Sequence, residues 1–489
     1  MKIKYILSVI AIVAITKTSF AQYSQDAIRF STGETGSTAR IKGVGNAGTA
    51  VGGDLSSVSG NPAGLGFFTS SELSITPEYN NTKVNSTFLG QGSSDTKSSG
   101  NLNHGAFVIY QQVNKPRGAD RTKGWLSVNY GGGYSRTNNY YENINYFGTN
   151  NTSSINDYYA DQANSFGTSQ GTLARAALDH NLIDLYDPAN PVYKSNAYPG
   201  VDQESSIIRS GGLSNLDFAV GGNYSNKFYI GLGVSFTNIR YNSLSRFYED
   251  GTASVLENSI PTDRDYNSAF TQDQVTKGSG FNARLGVIFK PVEALRLGAT
   301  ITSPTWYNID DSYSESLDTR LSNGNSYEYG PQNYSLNYNL RTPLKVAGGA
   351  AVFIKKYGFI TGDIEYVDYS SAHLSSNDSY YADDDNMNIK TLYQSTINAH
   401  IGAEARINSM FLLRGGYGIQ GDPQKNYGGD IKTVSGGIGL RFGAYYMDAA
   451  YTHSTGNKTI FPYEIGSLSP GAQLDKITNN GYLTLGYRF

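Results

Sequence analysis

The chain has no cysteine among its 489 residues, which removes disulfides, thiolate metal sites and cysteine nucleophiles from consideration. Charge is also scarce: Asp, Glu, Lys and Arg together make 16%, the formal net charge is -3, and no basic stripe of the kind a nucleic-acid surface needs occurs. After the N-terminus no apolar run is long enough, at about 18 residues, to cross a bilayer as a helix. Short alternating strands escape that exclusion, because a barrel crosses with segments that are apolar on one face only. What is abundant is glycine, 56 residues, and tyrosine, 39. Such a chain is too aromatic to be disordered and too rich in glycine to be mostly helical.

Residues 1–21 begin with Lys2 and Lys4, continue through an apolar stretch from Ile6 to Ile15, and end on Ser19-Phe20-Ala21. This order is that of a signal peptide cut after Ala21, and Gln22 at the new terminus excludes a lipid anchor on cysteine. Beyond about residue 71 the dominant pattern is period two. Phe228, Ile230, Leu232, Val234 and Phe236 share one face, with Tyr229, Gly231, Gly233, Ser235 and Thr237 on the other. Phe281 to Phe289 and Ile397 to Ala405 repeat the split, so each strand meets two different environments.

Fourteen strands are read, near 71–80, 102–112, 124–136, 214–223, 226–248, 276–289, 293–308, 333–354, 357–370, 392–406, 409–421, 431–441, 445–455 and 479–489. Pro343 interrupts one of them, and the even count requires a single strand kinked there rather than two. Long and short connections then alternate, which is what an antiparallel barrel in an outer membrane requires and a soluble sandwich does not. The longest lie at about 137–213 and 249–275. At the end of the chain Leu483, Leu485, Tyr487 and Phe489 alternate with Tyr482, Thr484, Gly486 and Arg488, as in a closing strand that faces lipid. The fold class expected is therefore an all-β transmembrane antiparallel barrel in the outer membrane of a Gram-negative bacterium.

Signs of catalysis are weak. Gly-x-Ser-x-Gly is absent, and spacing assembles no triad from His104, His180, His373, His400 and His453. Asp383-Asp384-Asp385 lacks the regular ligand spacing of a calcium loop and reads as an acidic solvent segment. No catalytic, cofactor-binding or metal-binding residue is assigned, and no enzyme activity is expected.

The stretch Gly43-Val44-Gly45-Asn46-Ala47-Gly48-Thr49-Ala50, then Asp54, then Asn61-Pro62-Ala63-Gly64-Leu65, resembles the FadL/TodX family of outer-membrane transporters for hydrophobic compounds. Further likeness lies in Ser303-Pro304-Thr305, Arg341-Thr342-Pro343-Leu344, Gly362 to Tyr369, Leu413 to Tyr417 and the last strand. The resemblance implies fourteen strands, an N-terminal hatch over 22–70 folded inside the lumen, and a barrel over 71–489. A hatch also answers a physical need, since a cylinder of this width is not filled by its own side chains. Within it Asn61 is placed to cap a turn or short helix whose first position is Pro62.

The resemblance further implies capture of a small hydrophobic molecule, such as a long-chain fatty acid or an aromatic compound, in a groove formed by 137–213 and 249–275. Hatch movement would then release it sideways through a gap in the wall. Gly131, Gly132 and Gly133 are candidates for that gap, because missing side chains weaken packing, although small residues there would equally make room for the plug. Leu178, Leu182 and Leu185, within a helix expected over 172–186, either offer an apolar face to the ligand or pack against the next loop. Arg284, Arg296, Asp363, Glu365, His400, Glu404, Arg406, Arg414 and Arg441 are expected to face the lumen, mostly to anchor the plug. Expected partners are outer-membrane lipid, lipopolysaccharide and the barrel-assembly machinery, with no nucleic acid, and the protein is expected to be a monomer. The alternative is a non-transporting barrel that serves as a structural or secretion-machine interaction protein.

Overall fold

In the computed structural model, residues 20–118, 120–187, 191–376 and 382–489 are described. Most of the expected signal peptide lies outside them, while Phe20 and Ala21 open helix α1, Phe20–Arg29, which is followed by the short helix α2, Ala39–Gly43. The wall is one closed antiparallel sheet of fourteen strands. In chain order they are β1 Glu72–Phe88, β2 Gln91–Ile109, β3 Trp125–Asn139 with its continuation Glu142–Asn150, β4 Val201–Tyr224, β5 Phe228–Glu257, β6 Ile260–Val292, β7 Leu295–Thr302 with Trp306–Leu321, β8 Ser326–Arg341 with Lys345–Ile354, β9 Gly358–Asp368, β10 Ser395–Arg406, β11 Phe411–Gln420, β12 Ile431–Phe442, β13 Tyr445–Ile460 and β14 Ala472–Arg488. β14 pairs with β1, Leu485 opposite Ile75, and closes the cylinder.

Pro343 lies in a break within a single strand, as parity requires. Lys345–Ile354 pairs with Leu295–Thr302, and Ser326–Arg341 pairs with Trp306–Leu321, so both halves of β8 follow both halves of β7. The two breaks sit side by side and bond each other: Thr342 N–H donates to the Thr305 carbonyl at 3.0 Å, and Thr305 N–H to the Thr342 hydroxyl at 2.8 Å. The donors that each proline interrupts are thereby replaced locally.

Outward residues define the hydrocarbon zone. On β5 and β6 the outward pairs run from Phe228 and Phe289 to Phe236 and Phe281, and then change to Asn238 with Ser279 and Arg240 with Lys277. Trp125 and Tyr224 mark one edge of the band, and Trp306 against Phe281 the other. The closing strand behaves alike, with Leu483, Leu485, Tyr487 and Phe489 exposed while Tyr482 and Thr484 are buried. An apolar belt with aromatic rims around a closed wall is the form a sheet takes in a bilayer, since an exposed belt of this size in water would aggregate.

Beyond the outer rim the strands continue far past the lengths expected. The stretch 249–275, read as a loop, is the end of the β5–β6 hairpin, which turns at Asn258 and Ser259, both at positive φ. The stretch 137–213 holds the continuation of β3, helices α3 Ile155–Phe166 and α4 Leu173–Asp179, a hairpin of Ile183–Asp187 with Val192–Ser195, and the upper part of β4. Ser154 caps α3 in a reciprocal box with Asp157. These pieces pack on the raised strands through Ile155, Tyr159, Leu182, Ile183, Phe247, Phe270 and Leu317 to make a core above the membrane.

Candidate functional site: the stoppered lumen

The N-terminal segment fills the lumen, and the wall is shaped to receive it. Asn61 caps the 3-10 helix Pro62–Phe67: its Oδ1 accepts from Ala63 N–H at 3.1 Å, while its Nδ2 donates to the Thr49 carbonyl at 2.7 Å. Pro62, Ala63, Gly64 and Leu65 lie buried against β4, β5 and β6. Gly221, Gly231 and Gly286 face them, and a Cβ at any of the three would overlap Asn61, Pro62 or Leu65. On the opposite wall Gly402 and Gly416 admit the backbone of Val44 and Gly45 in the same way.

Buried charge fixes the far side. Arg40 of the hatch pairs with Glu404 at 2.9 Å, Glu404 with Arg414 at 2.7 Å, Arg414 with Asp448 at 2.8 Å, and Asp448 with Arg441 at 2.9 Å. Asp363 accepts from Thr49 N–H at 2.7 Å, and Arg296 stacks between Phe67 and Phe353. Arg284 is spent on Asp217 at 2.7 Å, and His400 approaches Glu34 at 3.5 Å. These expected lumen residues are occupied with the plug or with other groups of the wall. Arg406 is different: it is exposed where β10 ends.

Beside the hatch lies a cavity of about 220 Å³ whose walls are mainly Ser, Thr, Asn and charged groups. Above it, over α1, opens a chamber of about 1200 Å³ with a different lining. Tyr140, Tyr146, Tyr241, Phe247, Phe270, Tyr313, Tyr393 and Phe461 supply rings, and Ile28 and Arg29 of α1 form part of the floor. Arg29 lies over the Tyr241 ring at 4.3 Å. One side of the chamber is basic. Glu142 pairs with Arg209 at 2.7 Å, Lys476 at 2.8 Å and Lys458 at 3.9 Å, three cations around one carboxylate. Burial opposes ionisation of Glu142, but Lys476, Lys458 and Arg209 outweigh it and hold the carboxyl well below its usual range. Burial pulls the Lys458 ammonium down to about 8, against the attraction of Glu142 and with the help of Arg209 and Lys476. This cluster lies above the apolar belt, and residue spacing gave no sign of it, since its members come from β3, β4, β13 and β14.

The chamber reaches a seam in the wall. β2 and β3 pair from Ile109 with Tyr130 up to His104 with Ser135, and above that no backbone ladder joins them among the described residues. Side chains bridge the divide instead: Asn139 Nδ2 donates to Ser99 Oγ at 3.3 Å, and Asn145 Nδ2 to Asp95 Oδ2 at 2.6 Å. A strap of hatch from Thr32 to Ser37 lies behind the divide. Asn138 Nδ2 donates to the Thr32 carbonyl at 3.2 Å, and Asn103 Nδ2 to that of Ser37 at 2.5 Å. A Cβ at Gly36 would stand 2.7 Å from the Arg136 carbonyl oxygen, so only glycine lets the strap come this close.

Gly131, Gly132 and Gly133 sit just below this seam, laddered on both sides to β2 and β4. Gly132 faces outward between Phe107 and Phe218, and a Cβ at Gly131 would press on Val58 and Leu65 of the hatch. The expected helix over 172–186 is shorter, Leu173–Asp179, capped by Thr172 and stopped at His180 before Asn181 at positive φ. Leu178 packs on the upper core, Leu182 is fully buried in it, and Leu185 is exposed on the hairpin that follows. None of the three lines the chamber.

These features define a membrane-spanning β-barrel stoppered by its own N-terminal segment, with an aromatic chamber above the stopper. No family model and no curated relative matches the chain. Solved structures do. A Pseudomonas aeruginosa FadL homologue is similar with a TM-score of 0.54 at 13% identity, over 94% of this chain and 100% of that one. The Pseudomonas putida toluene transporter TodX is similar at 0.52 and 12%, over 93% and 99%. The CymD monoaromatic hydrocarbon channel is similar at 0.50 and 12%, over 93% and 98%. The chain has the barrel-and-hatch fold of the FadL/TodX transporters.

Proposed function

We propose that this protein carries small hydrophobic molecules across the outer membrane, taking them into the chamber above α1 and releasing them sideways through the seam between β2 and β3. The observation that carries this reading is the contrast between the two cavities. A chain of a dozen methylenes gains on the order of 10 kcal/mol on leaving water, and the ring-lined chamber meets that need. The polar cavity beside the hatch does not, and buried ion pairs and close-fitting glycines fill the rest of the way down. At the seam the wall lacks backbone pairing beside the chamber floor, and the strap Thr32–Ser37 closes it by a few side-chain bonds.

Arg209, Lys458 and Lys476 around one Glu142 favour a ligand with an acidic head and an apolar body, the chemistry of a fatty acid, over a neutral hydrocarbon. The likeness to a toluene transporter is a likeness of fold and leaves that preference to the chamber's own residues.

The absence of cysteine makes a direct test simple. In Ser99→Cys/Asn139→Cys the two thiols replace side chains that bond across the seam, and oxidation is expected to tie β2 to β3. Cells carrying the wild type are expected to take up oleate faster than cells without it, the oxidised variant to lose that gain, and reductant to restore it. Uptake by the oxidised variant at the wild-type rate would rule out release through the seam. Equal uptake with and without the wild-type protein, for oleate and toluene alike, would end the transport reading.

A further inference from the structure

High on the extracellular side, Glu315 of β7 is a carboxylate without a cation. Its Oε2 accepts from Tyr313 O–H at 3.2 Å and its Oε1 from Tyr334 O–H at 3.4 Å. No lysine or arginine among the described residues pairs with it. The Tyr313 and Tyr334 rings lie near-parallel, 6.0 Å between centroids, and Gln272 Nε2 holds the Tyr313 hydroxyl at 2.8 Å. Tyr158 of α3 and Tyr329 of β8 stand close enough for the Glu315 charge to act on both phenols, and Tyr329 is fixed through its hydroxyl to the Gly171 carbonyl at 3.1 Å.

The position is accessible. The upper half of β8, Ser326–Arg341, pairs with β7 along one edge, and on its other edge Asn339, Leu340 and Arg341 pair with His373–Ser375. The Asn337 carbonyl accepts from Ser376 Oγ at 3.0 Å on that edge, and Tyr334, which faces inward beside Tyr313, is 45% exposed.

The two phenols hydrogen-bond the carboxylate without compensating its charge and oppose the upward push of burial on its pKa, and tyrosine rings lie around it. Both favour a cation that is large and weakly hydrated over a small metal ion, which would demand more oxygen ligands than one carboxylate supplies. We infer that Glu315 with Tyr158, Tyr313, Tyr329 and Tyr334 forms a binding site for a small organic ammonium group, entered past the half-exposed Tyr334 ring. The carboxylate supplies charge and the rings supply cation-π contact, so a quaternary ammonium is preferred to a neutral molecule of the same shape. The site is separate from the basic cluster and does not rest on the transport reading.

Calorimetry on the purified full chain in detergent tests this, with choline as the probe and 3,3-dimethyl-1-butanol as its uncharged counterpart. Choline is expected to bind about tenfold or more tightly than the alcohol, and Glu315→Gln to lose that advantage while keeping the wild-type melting temperature. Tyr334→Leu, at a ring already half in solvent, is expected to weaken choline severalfold, and it provides the test should Glu315→Gln fail to fold. No binding of choline by the wild type, equal binding of the two probes, or undiminished binding by both variants would overturn the inference.

Discussion

Lys458 is the residue whose chemistry is easiest to read from outside. It stands inside the chamber with its ammonium pulled down to about 8 by burial, beside Arg209 and Lys476. Below that pH it is charged and attracts an acidic ligand; above it the charge is lost. A charge-assisted hydrogen bond contributes about 1.5–3 kcal/mol, or roughly one to two powers of ten in affinity. Oleate binding to the purified protein is therefore expected to weaken as pH rises through 8 and beyond, the fall lying above 8 to the extent that the bound carboxylate itself raises the lysine. Fluorescence titration across pH 7 to 10 checks this. Lys458→Met is expected to bind more weakly at pH 7 and to show a flatter profile, while a toluene probe is expected to show no such slope.

At the scale of elements, the strands were legible where two environments differ and illegible where they do not. Phe228 to Phe236 alternate because one face meets hydrocarbon and the other the plug, and the wall is found where that pattern predicts it. Above the rim both faces are polar: Gln91 to Asn101 is Ser, Asp, Thr, Lys, Gly and Asn, with no period to read, yet it is strand. The same loss of contrast made 249–275 resemble a loop. The seam escaped notice for another reason, since it consists of backbone pairing that is missing, and no side-chain pattern marks a missing bond.

Hatch seating was legible only in part. Asn61 before Pro62 announces a cap, but the glycines that receive the hatch, Gly402 and Gly416 among them, look in sequence like any others in a strand. Their role yields a test with an internal control. Gly402→Val would place a side chain against the Val44 carbonyl, whereas Gly415→Val points outward with nothing within 4 Å. Both variants are expected to assemble as heat-resistant barrels. Only Gly402→Val is expected to loosen the plug, seen as raised ion conductance in planar bilayers and as sensitivity of cells to a bulky antibiotic.

For the whole molecule the arrangement of connections sets its direction in the membrane. Ser71 at the barrel's entry and Phe489 at its end are joined at one rim, Phe489 N–H to the Ser71 carbonyl at 2.9 Å, and the tight turns at Lys355–Lys356 and Gly443 share that rim. Everything that rises beyond the belt, from α3 to the segment around Gly466–Leu468, is at the other. An assembly route that threads strands from the inner side leaves the joined termini and short turns facing the periplasm, and puts the raised strands, chamber and seam toward the medium. Cysteine substituted singly at Ser467 or at Lys356 in this cysteine-free chain reports the orientation. On intact cells a membrane-impermeant maleimide is expected to label Ser467→Cys and spare Lys356→Cys, and both are expected to react once the outer membrane is broken. The reverse pattern would put the chamber on the periplasmic side and turn capture from the medium into release toward it.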